Sequence, residues 1–126
     1  MGFLERLKAR AVAAGGRVAL AEGHDERIIE AAGELIEGGG CDVTLVCPGD
    51  KRQPALDELA ERGVDVADPG ADPRREELAD HLYQRRAAKG LSRDQALEAV
   101  RDPLYFASLM VATGAADASV GGAVRT

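Results

Sequence analysis

Arg17 to Cys47, RVALAEGHDERIIEAAGELIEGGGCDVTLVC, decides the fold class. Arg17 to Ala21 is a short apolar run that reads as a buried strand, and Glu22-Gly23-His24 turns the chain. Asp25 is placed to cap a helix whose apolar residues Ile28, Ile29, Ala32, Leu35 and Ile36 recur at helical spacing. Gly38-Gly39-Gly40 ends that helix. Asp42 to Cys47 follows as a second strand, apolar on both faces at Val43, Leu45 and Val46, which suits a central parallel strand. A strand, a helix and a second buried strand in this order make a βαβ unit.

The same alternation extends in both directions. Upstream, Phe3, Leu4, Leu7, Ala11 and Val12 predict an amphipathic leader helix that stops at Gly15-Gly16. Downstream, Pro48-Gly49 ends the second strand. A helix over Pro54 to Arg62 then leads through Gly63 to a third strand, Val64 to Ala67, and a loop, Asp68 to Asp72. A charged helix is expected from Pro73 to Ala88, with a stop at Gly90. Ser92 with Gln95 three residues on is the pattern of a capping box. Asp102-Pro103, a cap followed by proline at the first helical position, opens Leu104 to Thr113, which is apolar on most sides and should be buried. Ala116 to Val120 should return as a further strand. The expectation is one α/β unit with a mostly parallel sheet.

Composition narrows the functional classes. A chain of 126 residues fits one domain and buries roughly two-thirds of its unfolded surface. Aromatics are 3% and Trp is absent, so the interior must be aliphatic residues packed closely. The net charge of −6 argues against nucleic-acid binding, which uses clustered cations to displace counterions. It does not prevent a few arginines from holding one small anion. No apolar run approaches the roughly 18 to 20 residues that span a bilayer, and charges interrupt the N-terminus where a secretory signal would be continuous. Arg6 stands where a myristoylation motif needs Ser or Thr. The reading is soluble and cytoplasmic.

Cys41 and Cys47 flank an extended segment that would separate their Cα atoms by roughly 20 Å. A disulfide needs about 4.4 to 6.8 Å, so both are expected as buried thiols. His24 and His81 lack metal-ligand spacing and read as exposed polar residues. No GxxxxGK[ST], GxGxxG or GxSxG pattern is present.

Two places could hold an anion. The turn Ala21 to Arg27 runs from a strand through glycine into a helix N-terminus, with free N–H groups, a positive dipole end, and Arg27 one turn on. Arg85, Arg86 and Lys89 cluster at a helix C-terminus, where cations also simply complement the dipole. From spacing alone, an ordinary βα turn and a solvated helix end explain both.

The motifs taken together resemble the phosphate acetyltransferase and phosphate butyryltransferase family, most closely its acetyltransferase branch. VALAEGHDERI is similar to the family's I-V-L-P-E-G-x-D-x-R, DVTLVCPGD to its second strand and turn, and Val66 to Pro69 to I-x-D-P. Tyr83 to Gly90 resembles Y-x-x-R-x-x-K-G. Asp102 to Thr126 resembles D-x-x-Y-F-G-x-M-M-V-x-x-G-x-A-D-G-x-V-S-G-A-x-x-T. The resemblance implies reversible acetyl transfer between coenzyme A and inorganic phosphate, in a three-layer α/β/α fold of two domains like that of isocitrate and isopropylmalate dehydrogenases, of which this chain would be an incomplete first domain. It implies a dimer, no metal, and no bound cofactor beyond coenzyme A as substrate. Arg27 and Arg86 fall on positions associated with coenzyme A and phosphate binding, so the resemblance favours the functional reading of both.

On this likeness residues 1–126 correspond to an N-terminal part of the family domain, cut inside a motif, with no catalytic residue in the chain and no turnover from it alone. An apolar face around Leu109 and Val111 would then be exposed. A competing reading is the acyl-CoA-sensing regulatory domain of a malic enzyme, and a third is a remnant interaction protein. Ala21 stands in place of the family's Pro, Ala107 and Ala118 in place of Gly, and Gly121 in place of Ser. The two Gly-to-Ala changes would strain the backbone if either site needs a positive φ.

Overall fold

The computed structural model describes residues 5, 6, 9, 13, 16–37 and 41–121. Of the expected leader helix, Glu5, Arg6, Ala9 and Ala13 are described, all helical, and the rest lies outside the described residues. Four strands, β1 (Arg17–Leu20), β2 (Asp42–Val46), β3 (Asp65–Ala67) and β4 (Ala118–Val120), form one parallel sheet in the order β3-β2-β1-β4. The helices are α1 (Glu26–Glu37), α2 (Pro54–Glu61), α3 (Arg75–Arg86), α4 (Arg93–Ala99) and α5 (Pro103–Ala112).

Two cores, one on each face of the sheet, make the three layers. On one face Val18 and Leu20 of β1 join Val43 and Leu45 of β2, packed under Ile28 and Leu35 of α1 and Leu56 and Leu59 of α2. On the other face the same strand presents Ala19 and Ala21, with Val46 and Ala67, under α3, α4 and α5. Side chains alternate along a strand, so the order Val-Ala-Leu-Ala puts bulk on one side and methyl groups on the other. The methyl face receives Phe106 and Met110 of α5, both fully buried. Burial of one such aromatic contributes about 1.5–3 kcal/mol.

Most expected elements form where the sequence places them. Ser92 accepts the Gln95 N–H (3.1 Å) and the Ser92 N–H donates to Gln95 Oε1 (2.9 Å), completing the capping box. Asp102 accepts the Leu104 N–H (2.9 Å) ahead of Pro103. α3 is shorter than expected, because its last turn tightens into a 3-10 turn at Ala87–Lys89. Leu109 is buried, not exposed, and Val111 is half-buried, because α5 is enclosed by β1, β4 and α3. Cys47 is buried and Cys41 half-buried, both as free thiols.

The outer strand β4 is tied to β1 by a charged fork. Arg17 Nε and Nη2 donate to Asp117 Oδ2 (3.0 Å) and Oδ1 (2.8 Å), and Arg17 Nη1 donates to the Gly114 carbonyl (2.9 Å). A second fork, Arg74 on Asp72, also reaches Asp65 at the start of β3. The Arg17 hydrogen bonds hold the Asp117 carboxyl below the usual range, and those from Arg74 do the same for Asp72.

A carboxyl depressed on folding gives stability that is complete above its unfolded pKa and lost as pH falls through the folded value. Resistance to urea should therefore decline as pH drops below about 4. Asp72→Asn and Asp117→Asn should each be less stable than the wild type at pH 7 and show a shallower acid decline. An unchanged acid slope in both variants would contradict this account.

Candidate functional site

The strand order reverses at β1. The chain passes from β1 to β2 to β3 on one side, then crosses to place β4 on the other. In open parallel sheets such a reversal leaves a crevice outside the carboxyl ends of the two strands, because their following loops diverge. Here that crevice lies at Leu20-Ala21 and Val120-Gly121.

The loop after β1 is fixed on both sides of the crevice. Ala21 N–H donates to the Val120 carbonyl (2.8 Å) and Gly23 N–H to the Val46 carbonyl (2.9 Å). Gln53 Nε2 donates to the His24 carbonyl (2.9 Å). Between these anchors Glu22 is buried at 1% exposure and adopts φ +62°, the only non-glycine with positive φ among the described residues. Strain of that kind costs on the order of 1–3 kcal/mol and persists only where the surroundings determine the backbone.

Arg27 projects from the first turn of α1 with 66% of its side chain exposed. Its N–H and guanidinium both bind Asp25, whose side chain is 8% exposed (2.8 Å from N, 3.0 Å from Nη2). The side-chain bond and then the backbone bond from Arg27 hold the Asp25 carboxyl below the usual range. Arg27 is thus already committed to a carboxylate at the helix N-terminus.

Arg86 stands elsewhere. It lines a cleft of about 370 Å³ with Leu82, Lys89, Gly90, Leu91, Gln95, Ala99 and Tyr105, and Arg27 is not among the lining residues. Gly90, at φ +91°, turns the chain so that Leu91 N–H returns to the Arg86 carbonyl (3.3 Å). Neither Arg86 nor Lys89 enters an ion pair among the described residues. The C-terminal end of α3 favours positive charge there. The structure therefore separates the two candidate arginines, one paired beside β1 and one unpaired in a cleft between α3, α4 and α5.

Other candidates carry less. His24 is half-buried, and its Nδ1 is buried with no hydrogen-bond partner. Burial pushes the Cys47 thiol up, away from a reactive thiolate. Among the described residues no group of three or more His, Cys, Asp or Glu is placed to hold a metal ion, and no helix is long and apolar enough to cross a membrane. Tyr105 and Gln95 had been legible only as a motif landmark and a cap, and the fold brings both to the Arg86 cleft.

Residues 2–126 match the family described as Phosphate acetyl/butaryl transferase. The chain belongs to that family. It is 39% identical to a phosphate acetyltransferase of Paracoccus denitrificans over 123 residues, 98% of this chain and 36% of that protein. It is 38% identical to one of Treponema pallidum, covering 100% of this chain and 38% of that one. The chain thus spans well under half the length of these curated relatives. Among solved structures, the EutD phosphotransacetylase of Staphylococcus aureus is similar with a TM-score of 0.76 and 25% identity, over 98% of this chain and 38% of that one. A phosphotransacetylase of Streptococcus pyogenes shares the fold at a TM-score of 0.75 and 22% identity, over 100% of this chain and 40% of that one.

The departures from the transferase pattern can now be read against the backbone. Ala107 lies inside α5 and Ala118 in β4, and neither has positive φ, so the expected strain is absent. At Gly121 an added β-carbon would overlap the end of the half-buried Leu104 side chain, which would have to move, and would lie 3.1 Å from Ala21 Cβ. Gly23 is more firmly confined, since an added Cβ would lie 2.8 Å from Cys47 Cβ and 3.0 Å from both Leu45 Cγ and the Val46 carbonyl oxygen. Gly23→Ala should cost about 1–3 kcal/mol in urea unfolding, the usual penalty for overpacking. A wild-type midpoint would show that the β1 loop is free to move off β2.

Proposed function

We propose that this chain is part of a phosphate acetyltransferase, in which it binds coenzyme A and phosphate for reversible transfer of an acetyl group. The single observation that carries this reading, within the family, is that Arg86 and Lys89 in the α3–α5 cleft have no ion-pair partner among the described residues. Two unpaired cations facing one concave surface favour a multiply charged anion, and coenzyme A carries several phosphates. Arg27, held in place by Asp25 at the edge of the β1–β4 crevice, serves as a second anion contact. That the two relatives are phosphate acetyltransferases supports acetyl over butyryl as the transferred group.

In the transfer, the coenzyme A thiolate attacks the carbonyl carbon of acetyl phosphate. A C–S bond forms, the bond from the carbonyl carbon to the bridging oxygen breaks, and inorganic phosphate leaves with that electron pair. Negative charge grows on the carbonyl oxygen and then on the departing phosphate, so fixed donors accelerate the step, each worth a few kcal/mol. Within this chain the strained, triply anchored β1 loop offers a rigid edge for the reacting end. The proton-transfer and oxyanion groups belong to parts of the transferase other than these 126 residues. Acetyl transfer of this kind uses coenzyme A as substrate and needs no further cofactor.

Arg86→Ala should weaken coenzyme A binding by roughly tenfold or more, as loss of a charge-assisted contact of 1.5–3 kcal/mol would. Inorganic phosphate binding should change less. Calorimetric titration of both ligands tests this, and an unchanged coenzyme A affinity would remove the proposed role. The 126 residues alone should form no acetyl phosphate from acetyl-CoA and phosphate in a direct assay. Turnover by them would show that the catalytic groups lie within the chain.

A further inference from the structure

α4 forms one wall of the Arg86 cleft through Gln95 and Ala99, yet its own packing does little to fix where it stands. The helix has seven residues, and Ala96 is the one that is buried. A helix so short has too few internal hydrogen bonds to be stable alone, and one methyl group removes little apolar area from water. A gap of about 130 Å³ lies between it and α3, lined by Glu76, Ala79, Asp80, Arg93 and Leu97. Close packing therefore does not set the spacing of the two helices along this side.

Two arginines span the helices instead. Arg75 of α3 donates from Nη2 to the Leu97 carbonyl (3.3 Å). Arg93 of α4 pairs with Asp80, and its guanidinium carbon lies 4.8 Å from the centre of the Tyr83 ring. Arg93 is the first residue after the Ser92 cap, where the helix dipole disfavours a cation, so α4 gains nothing locally from a positive charge there. Both of its partners are on α3. A planar guanidinium stacks on a ring while its edge binds a carboxylate, a combination that suits Arg and not Lys. Tyr83 stands three residues before Arg86 and so on the same side of α3. Arg93 thus grips the turn that leads into Arg86 without itself lining the cleft.

We propose that Arg93 is a positioning residue for the anion site. By bridging Asp80 and Tyr83 it fixes the start of α4 against the end of α3, and so sets the distance between Arg86 and the residues that α4 brings to the cleft. This rests on the coenzyme A reading, because only a bound ligand gives that distance a meaning. Between Arg86 and Arg93 the chain runs through the 3-10 turn Ala87–Lys89 and the left-handed Gly90. With Arg93 in place both ends of that connection are pinned, and Lys89 within it is held too. Glu76, one turn back along α3, is the other acid lining the gap, so loss of the Asp80 charge draws Arg93 toward it and away from Tyr83.

Calorimetric titration of the full chain with coenzyme A tests this, because position and charge predict opposite signs. Arg93→Ala should weaken binding by roughly 3- to 10-fold, the combined scale of an exposed ion pair and a cation–π contact. Asp80→Asn removes a negative charge, which by the overall field alone would tighten the binding of an anion. By releasing Arg93 it should instead weaken coenzyme A by roughly 3-fold. Tyr83→Phe keeps the ring face and should stay within about twofold. In an Arg86→Ala background the Arg93→Ala loss should largely disappear, the non-additivity expected when one residue acts through another. Tighter or unchanged binding by Asp80→Asn, or an Arg93→Ala loss that persists in full without Arg86, overturns the positioning role. If Arg86→Ala alone still loses affinity, the coenzyme A reading stands. A wild-type chain that binds no coenzyme A overturns both.

Discussion

The methyl face of β1 is the constraint on which the rest of the structure depends. Ala19 and Ala21 carry almost no volume, so α5 approaches the sheet closely enough to bury Phe106 and Met110 together. Larger residues at either position would lift α5 away, and interiors packed at crystal-like density do not absorb such a shift locally. Everything on that side of the sheet is then positioned by α5. Its N-terminus sets Leu104 against the crevice, its second turn rests on β1, and its outward face carries Tyr105 to the cleft. The opposite face needs no such economy, because Val18 and Leu20 fill the space beneath α1 and α2.

The same closeness explains a pair of departures from the transferase pattern. Ala21 replaces Pro and Gly121 replaces Ser, positions far apart in the chain, yet a β-carbon at Gly121 would meet both Ala21 and Leu104. The two sites are therefore one contact, at the point where β1 and β4 end side by side and the Ala21 N–H binds the Val120 carbonyl. That hydrogen bond is one a proline at position 21 could not donate. An alanine there adds a backbone bond across the crevice, and a glycine opposite gives it room.

How much of this was legible in the sequence depended on how local the cause was. The βαβ order, the Ser92–Gln95 box and the Asp102-Pro103 start rest on interactions within a few residues, and each forms as read. The sheet order and the reversal at β1 rest on which strands pair at long range, which no local pattern encodes. The burial of Leu104 to Thr113 follows from its apolar sides and is found, whereas the exposure expected at Leu109 and Val111 came from the match to only part of the family domain, and the position of α5 between β1, β4 and α3 overturns it. At the candidate site, the residue types at Arg27 and Arg86 were visible but not their partners. Asp25 lies two residues from Arg27 and could have been suspected as its partner from spacing. The cleft around Arg86 assembles from three helices and could not.

The distribution of ion pairs resolves how a chain of net charge −6 can present a cationic cleft. Six of its aspartates are engaged locally: Asp25 with Arg27, Asp57 with Arg52, Asp65 and Asp72 with Arg74, Asp80 with Arg93, and Asp117 with Arg17. Those pairs cancel charge where it would otherwise steer an anion away. Arg86 and Lys89 sit instead where the carbonyl end of α3 attracts them without a directed partner. A helix dipole holds a cation near its end while leaving the N–H donors of that cation unspent, whereas a carboxylate partner would occupy them. Local geometry can thus set an anion site against the overall field, and net charge limits only the weaker, long-range part of recognition.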